Sequence, residues 1–182
     1  MNKAAFLDRD GVINKKAPGE GYITRSEDFQ LLPGVAEAIS LLNRAGFLVI
    51  VVTNQRGIAR GLFTHSNLSQ IHDKMTRDLA ASGARLDAVY FCPHDKEPPC
   101  DCRKPSPGMI LTAAAEHDID LCNSWMIGDS ESDREAGNRA GCRTFMISPQ
   151  PPNPGNDAGL SADSLLGAVQ KIISFAGTPP SS

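Results

Sequence analysis

Apolar and polar positions along this chain follow two periods. Short apolar runs at 4–7, 47–52, 88–92, 125–127 and 144–147 are each set between polar or Gly-containing stretches. Their brevity and continuity predict strands covered on both faces, as in a parallel sheet. Between them the apolar spacing lengthens to three and four. Val35, Ile39 and Leu42 share one side of a helix that opens at Pro33 and closes near Gly46. Leu68, Ile71, Met75 and Leu79 mark a second helix, from near Ser66 to Gly83. A third follows Pro107, and a fourth runs from about Glu131 to Gly141. A fifth follows Asp163 through Leu166, Val169 and Ile173 to near Gly177. Pro at the start and Gly at the end punctuate helices in this way. Strands alternating with helices predict an α/β fold, a doubly wound parallel sheet of five or six strands.

Three connections interrupt the alternation: 14–32, the Pro- and Cys-rich 93–107, and the Pro/Gly/Asn-rich 149–160, which reads as a surface loop. Residues 178–182 read as a frayed tail. None is long enough for a second domain or a large cap, so the expectation is one domain over 1–177 with functional loops at the strand ends.

Composition narrows the function classes. The 182 residues carry 18 Lys+Arg against 21 Asp+Glu, a net charge of −3, with 41% hydrophobic residues. That balance argues against global disorder and gives no overall basic field for nucleic acid or anionic lipid. No apolar run approaches the ~20 residues of a membrane span. Asp8, Arg9 and Asp10 break up the start of the chain, so no signal peptide is read and the cytoplasm is expected.

The polar clusters fall at the carboxyl ends of the predicted strands. The first run ends in Asp8-Arg9-Asp10-Gly11. Two carboxylates this close raise each other's pKa unless a cation sits between them, and a hard ion such as Mg²⁺ suits oxygen ligands. The second run leads into Thr53-Asn54-Gln55, a hydroxyl and amides suited to phosphate. Arg103-Lys104-Pro105 precedes the third helix and offers a guanidinium fork and a point charge for phosphate. The fourth run ends in Gly128-Asp129, with Asp133 one turn into the next helix. Asp129 would complete a cation site with Asp8 and Asp10, and Asp133 would hold that site from behind. Each cluster alone also reads as a solvated turn, a basic pair or a helix cap.

A second constellation, Cys92-x-His94-x5-Cys100-x-Cys102, supplies three thiolates and one imidazole, a closed tetrahedral set for structural Zn²⁺ over loop 92–102. Cys122 and Cys142 lie outside it and read as packed thiols.

In order, Asp-x-Asp, Thr, Lys and Gly-Asp-x-x-x-Asp resemble the four motifs of the haloacid dehalogenase (HAD) superfamily of aspartyl-nucleophile phosphatases. The resemblance implies that Asp8 is the nucleophile and Asp10 the general acid and base. It also implies that Asp8, the Asp10 backbone carbonyl and Asp129 hold catalytic Mg²⁺, while Thr53, Asn54 and Lys104 bind the transferring phosphoryl group. The zinc loop running into Arg103-Lys104-Pro105 is similar to two branches, the heptose-1,7-bisphosphate 7-phosphatase family and the histidinol-phosphate phosphatases. The stretch from Thr53 to Gly61, Gly21-Tyr22-Ile23 and Lys104-Pro105-x-Pro107-Gly108-Met109 favour the heptose family, over residues 4–148. That family implies loss of the 7-phosphate of a small soluble sugar bisphosphate, in supply of lipopolysaccharide core precursors, by a monomer without nucleic-acid or membrane partners. Substrate contacts would fall to Tyr22, Asn54, Gln55, Arg56 and Arg103, while Arg60 reads equally as an ion-pair partner within the fold. Arg56 stands where Ser is common, Ser130 where some members have Lys, and the 14–21 connection is longer. The rivals are a histidinol-phosphate phosphatase, a nucleic-acid 3′-phosphatase, and a non-catalytic phosphosugar-binding or zinc-scaffolded interaction module.

Overall fold

The computed structural model describes residues 1–19, 21–148 and 160–176. The Gly177 helix stop and the 178–182 tail lie outside these residues, as does nearly all of the 149–160 connection. The elements run β1 (Lys3–Leu7), α1 (Val35–Arg44), β2 (Phe47–Asn54), α2 (His65–Ala81), β3 (Ala88–Cys92), α3 (Gly108–Glu116), β4 (Trp125–Gly128), α4 (Glu131–Ala140), β5 (Arg143–Ile147), β6 (Ser161–Ala162) and α5 (Leu165–Ala176). All six strands form one parallel sheet in the order β3-β2-β1-β4-β5-β6.

Strand alternation divides the core into two layers. Ala5, Leu7, Val49, Val51 and Ile127 face α1, α2 and α5 through Ile39, Leu42, Ile71, Met75 and Val169. Ala4, Phe6, Ile50, Val52 and Met126 face α3 and α4 through Met109, Ile110, Ala113 and Ala136. A central strand thus spends no side chain on solvent, which is why its sequence shows a continuous apolar run. Each fully buried aliphatic side chain contributes about 2 kcal/mol.

The predicted helices are present with small shifts. α2 begins at His65 rather than near Ser66, because Thr64 accepts from the Asn67 backbone N–H while Asn67 accepts from that of Thr64. β6 was not expected as a separate strand. It has two half-buried residues and pairs with β5 at Met146 and Ile147. The described residues of the 14–32 connection are irregular apart from a short 3-10 turn at Ser26–Asp28 and an isolated antiparallel bridge between Asn14 and Leu31. Among the described residues no helix is long and apolar enough to cross a membrane.

From β1 the chain moves outward to β2 and β3, then returns to the other side of β1 for β4. The crevice beyond the carboxyl ends of β1 and β4 is therefore a topological switch point, where open α/β sheets bind ligands.

Candidate active site

The strand pairing places Asp8 and Asp129 side by side. Asp8 follows β1 directly, and its backbone N–H donates to the Ile127 carbonyl of β4 over 3.0 Å. Asp129 follows β4. Two glycines make the close approach possible. A Cβ on Gly11, at φ +94°, would fall 2.0 Å from an Asp129 carboxylate oxygen, and one on Gly128 would fall 2.2 Å from Cβ of Asp133. Asp8, Asp129 and Asp133 each offer a carboxylate oxygen, all within 4.8 Å of one another.

Lys104 enters this acidic cluster from the loop before α3. Its buried ammonium donates to Asp8 Oδ1 (2.8 Å), Asp133 Oδ1 (2.6 Å) and the Val52 carbonyl (2.7 Å). Asn54 holds it there: its amide donates to the Lys104 carbonyl (3.0 Å) and accepts from the Lys104 N–H (3.1 Å). Asp133 ties the same group to α4, since its Oδ2 accepts from the backbone N–H groups of Asp129 and Ser130. Burial lowers the proton affinity of Lys104, but Asp8 and Asp133 more than offset it and hold the ammonium charged. Burial pushes Asp8 up to about 7 against the opposing pull of Lys104. It raises Asp129 as well, opposed by the Lys16 ammonium 2.7 Å away. Crowded, desolvated carboxylates of this kind suit a hard divalent cation, which would relieve the repulsion that two lysines only partly offset.

The Asp10 side chain also lines the cleft but stands apart from the cluster of Asp8, Asp129 and Asp133. Arg9 Nη2 forks to both its oxygens (3.0 and 2.9 Å), Asn14 donates to Oδ1 (3.0 Å) and Gln55 to Oδ2 (3.0 Å). Burial raises Asp10, but Arg9 and these donors outweigh it and hold the carboxyl below its usual range. Only the Asp10 backbone is left as a possible cation ligand.

These residues line a cleft of about 230 Å³ that holds Asp8, Asp10, Tyr22, Thr53, Asn54, Lys104, Asp129 and Asp133. Lys16, Ser130 and Ser132 also line it. A second cavity of about 480 Å³ shares Asn54, Lys104 and Ser132 with the cleft and adds Arg103 and Lys96. Two expected substrate contacts lie outside both. Gln55 is fully buried and bridges Asp10 to the Thr53 hydroxyl (2.9 Å). Arg56 pairs with Asp95 of the Cys-rich loop, so its charge is spent on holding that loop to the body. Asn54 lines the cleft, yet its side-chain amide is committed to Lys104. Arg9, Asn14 and Lys16 were not anticipated. Arg9 and Asn14 are fully buried, and a polar residue beside an Asp-x-Asp turn gives no sequence sign of burial.

In the Cys-rich loop, Sγ of Cys92, Cys100 and Cys102 lie 3.2 to 3.6 Å apart. His94 Nδ1 is 3.5 Å from Cys92 Sγ and 3.2 Å from Cys102 Sγ. These are too long for disulfides and near the edges, about 3.8 Å, of a tetrahedron with zinc–sulfur arms. Burial and the neighbouring thiols push Cys102 up to about 12, a crowding that a cation would relieve. Cys142 is buried, whereas Cys122 is exposed and not packed as expected.

Known proteins share this architecture. The HAD-hydrolase-like family model matches residues 101–148. The D-glycero-beta-D-manno-heptose-1,7-bisphosphate 7-phosphatase of Bordetella bronchiseptica is 41% identical over 145 residues, covering 80% of this chain and 80% of that protein. The protein of that name from Rhodopseudomonas palustris is 45% identical over 151 residues, covering 79% and 82%. Among solved structures, D,D-heptose 1,7-bisphosphate phosphatase from B. bronchiseptica, complexed with magnesium and phosphate, superposes with a TM-score of 0.83 at 35% identity, covering 95% of this chain and 99% of that one. With such relatives sharing sequence and fold across most of their length, the chain belongs to the heptose-1,7-bisphosphate 7-phosphatase family of HAD-like hydrolases.

Proposed function

We propose that this chain is a Mg²⁺-dependent phosphatase that removes the 7-phosphate of D-glycero-D-manno-heptose 1,7-bisphosphate. It would serve lipopolysaccharide precursor supply as a cytoplasmic monomer. The observation that carries the reading is the meeting of Asp8, Thr53, Lys104 and Asp129 in one cleft at the switch point, each from a different strand end or loop. Kinship to the named phosphatases supports it.

In this reading the negative charge of the bound phosphate lets Asp10 take a proton from solvent; Asp8 then attacks phosphorus, and the bond to the C7 oxygen breaks as Asp10 gives that oxygen the proton. Water then attacks the aspartyl-phosphate while Asp10 takes up a proton, which regenerates Asp8 and releases inorganic phosphate. Lys104 and Thr53 bind the phosphoryl oxygens. Thr53 Oγ1 already accepts from Gln55, which leaves its own O–H to donate to phosphate. Asp8, Asp129 and the Asp10 carbonyl would hold Mg²⁺, whose charge lowers the repulsion between nucleophile and phosphate. Tyr22 and Arg103 take the sugar and the distal phosphate, Arg103 from the adjoining cavity. Cys92, His94, Cys100 and Cys102 would hold structural Zn²⁺.

The test is phosphate release with Mg²⁺ from both anomers of heptose 1,7-bisphosphate and from histidinol phosphate. A heptose bisphosphate should win by orders of magnitude in kcat/KM, and the winning anomer selects the pathway branch. Preference for histidinol phosphate would overturn the substrate and keep the mechanism.

A further inference from the structure

His72 has no part in the chemistry above. It lies on α2 beside the core residue Ile71, and its ring is held 5.9 Å from that of Phe91. Its Nε2 is 3.3 Å from Arg9 Nη1. A guanidinium only donates, so Nε2 accepts and the imidazole carries its proton on Nδ1. Arg9 is fully buried, and its Nε has no hydrogen-bond partner in the protein. The guanidinium is thus pinned at two points, His72 on one side and the Asp10 carboxylate on the other. Leaving a buried donor unmet costs its desolvation, a cost that a turn of the guanidinium toward another acceptor would relieve. Without His72, one anchor is gone and Nη1 is left buried and unmet.

We infer that His72 is a positioning residue, which through Arg9 fixes the Asp10 side chain in the orientation from which it serves the leaving oxygen. The inference rests on the phosphatase reading, with Asp10 as proton donor. Expulsion of a sugar alkoxide needs that donor, whereas expulsion of nitrophenolate hardly does, and kcat/KM covers the steps up to that bond cleavage.

The experiment therefore compares kcat/KM for heptose 1,7-bisphosphate and for p-nitrophenyl phosphate in wild type, His72→Leu and His72→Gln, with thermal melting as the check on folding. His72→Leu should lose about tenfold or more on the sugar phosphate and less than about twofold on the aryl ester. His72→Gln, whose Oε1 can accept from Nη1, should regain most of the loss. If His72→Leu does not fold, Arg9→Lys, which keeps the charge and loses the fork, should show the same selective loss. Equal losses on both esters, or none on the sugar phosphate, overturn the inference alone. Wild-type protein that cleaves neither ester overturns the phosphatase reading and the inference with it.

Discussion

The switch-point cleft and the Cys-rich loop are built on opposite plans. The cleft draws on residues as far apart in sequence as Asp8 and Lys104, and its parts are held by a finished sheet and buried hydrogen bonds. The loop takes its four ligand groups from 92–102, with little apolar content to hold them. Tertiary packing orders the first region, so charged groups can be placed there at energetic cost. The second is tied to the body only by the Arg56–Asp95 pair and a few hydrogen bonds, so an ion held by its four ligand groups would supply a large share of its folding energy. Loss of function and loss of stability should accordingly come from different places.

The sharpest test of that division is Asp8→Asn. It should lower turnover about a thousandfold or more while melting stays level or rises, since one buried acid is removed. A large drop in melting temperature would show that the cleft also carries stability. Zinc removal should do the reverse. Chelation, verified by metal analysis, should lower Tm by roughly 10 °C, on the scale of a few kcal/mol for a domain of this size, and open 93–107 to protease. Unchanged melting would end the structural role of the ion.

Two further outcomes sharpen the cleft side. Burial, with Arg9 adding to it, holds His72 down to about 3, although Asp10 pulls the other way. In the unfolded chain the same group titrates near 6.5. The unfolded state therefore binds the extra proton first as pH falls. The stability from a neutral His72 is complete above about 6.5 and is lost progressively from there towards 3. Between pH 7 and pH 5, urea unfolding should find wild type losing about 2 kcal/mol more stability than His72→Gln loses. Identical slopes would mean that the imidazole is not buried neutral. The smallest effect belongs to Lys16, whose half-exposed ammonium competes with a cation for Asp129. Lys16→Met should tighten Mg²⁺ binding about fivefold by calorimetry, the scale of a partly exposed ion pair. Weaker binding would instead make Lys16 part of the ligand shell.

The same contrast explains what was legible beforehand. Five strands announced themselves because central parallel strands are apolar on both faces. β6 did not, since Ser161 and Ala162 sit at the sheet edge with no run to show. Asp8, Thr53 and Asp129 could be picked out because they follow or end apolar runs, and the four zinc-type ligands because they are close in sequence. Arg9 and His72 could not. Their partnership spans 63 positions, and His72 stands at a helical position next to core residues where a histidine is ordinarily a packing group. Gln55 and Arg56 were read as ligands of the substrate because they are polar beside a strand end. The side of the turn on which each falls is set by Asp10 and Asp95, neither adjacent in sequence.

The position of β1 has a consequence for biosynthesis. It is made before the other five strands of the described sheet and is one of the two innermost in it, with β2 on one flank and β4 on the other. β2 follows soon, but β4 comes roughly 120 residues after β1, about 6 to 24 s of translation at ordinary rates. For that interval one edge of a strand that is apolar from Ala4 to Leu7 is unpaired, in a half-made sheet that invites pairing with other chains. Slowing translation between β3 and β4 should therefore lower soluble yield before it alters the activity of the molecules that do fold.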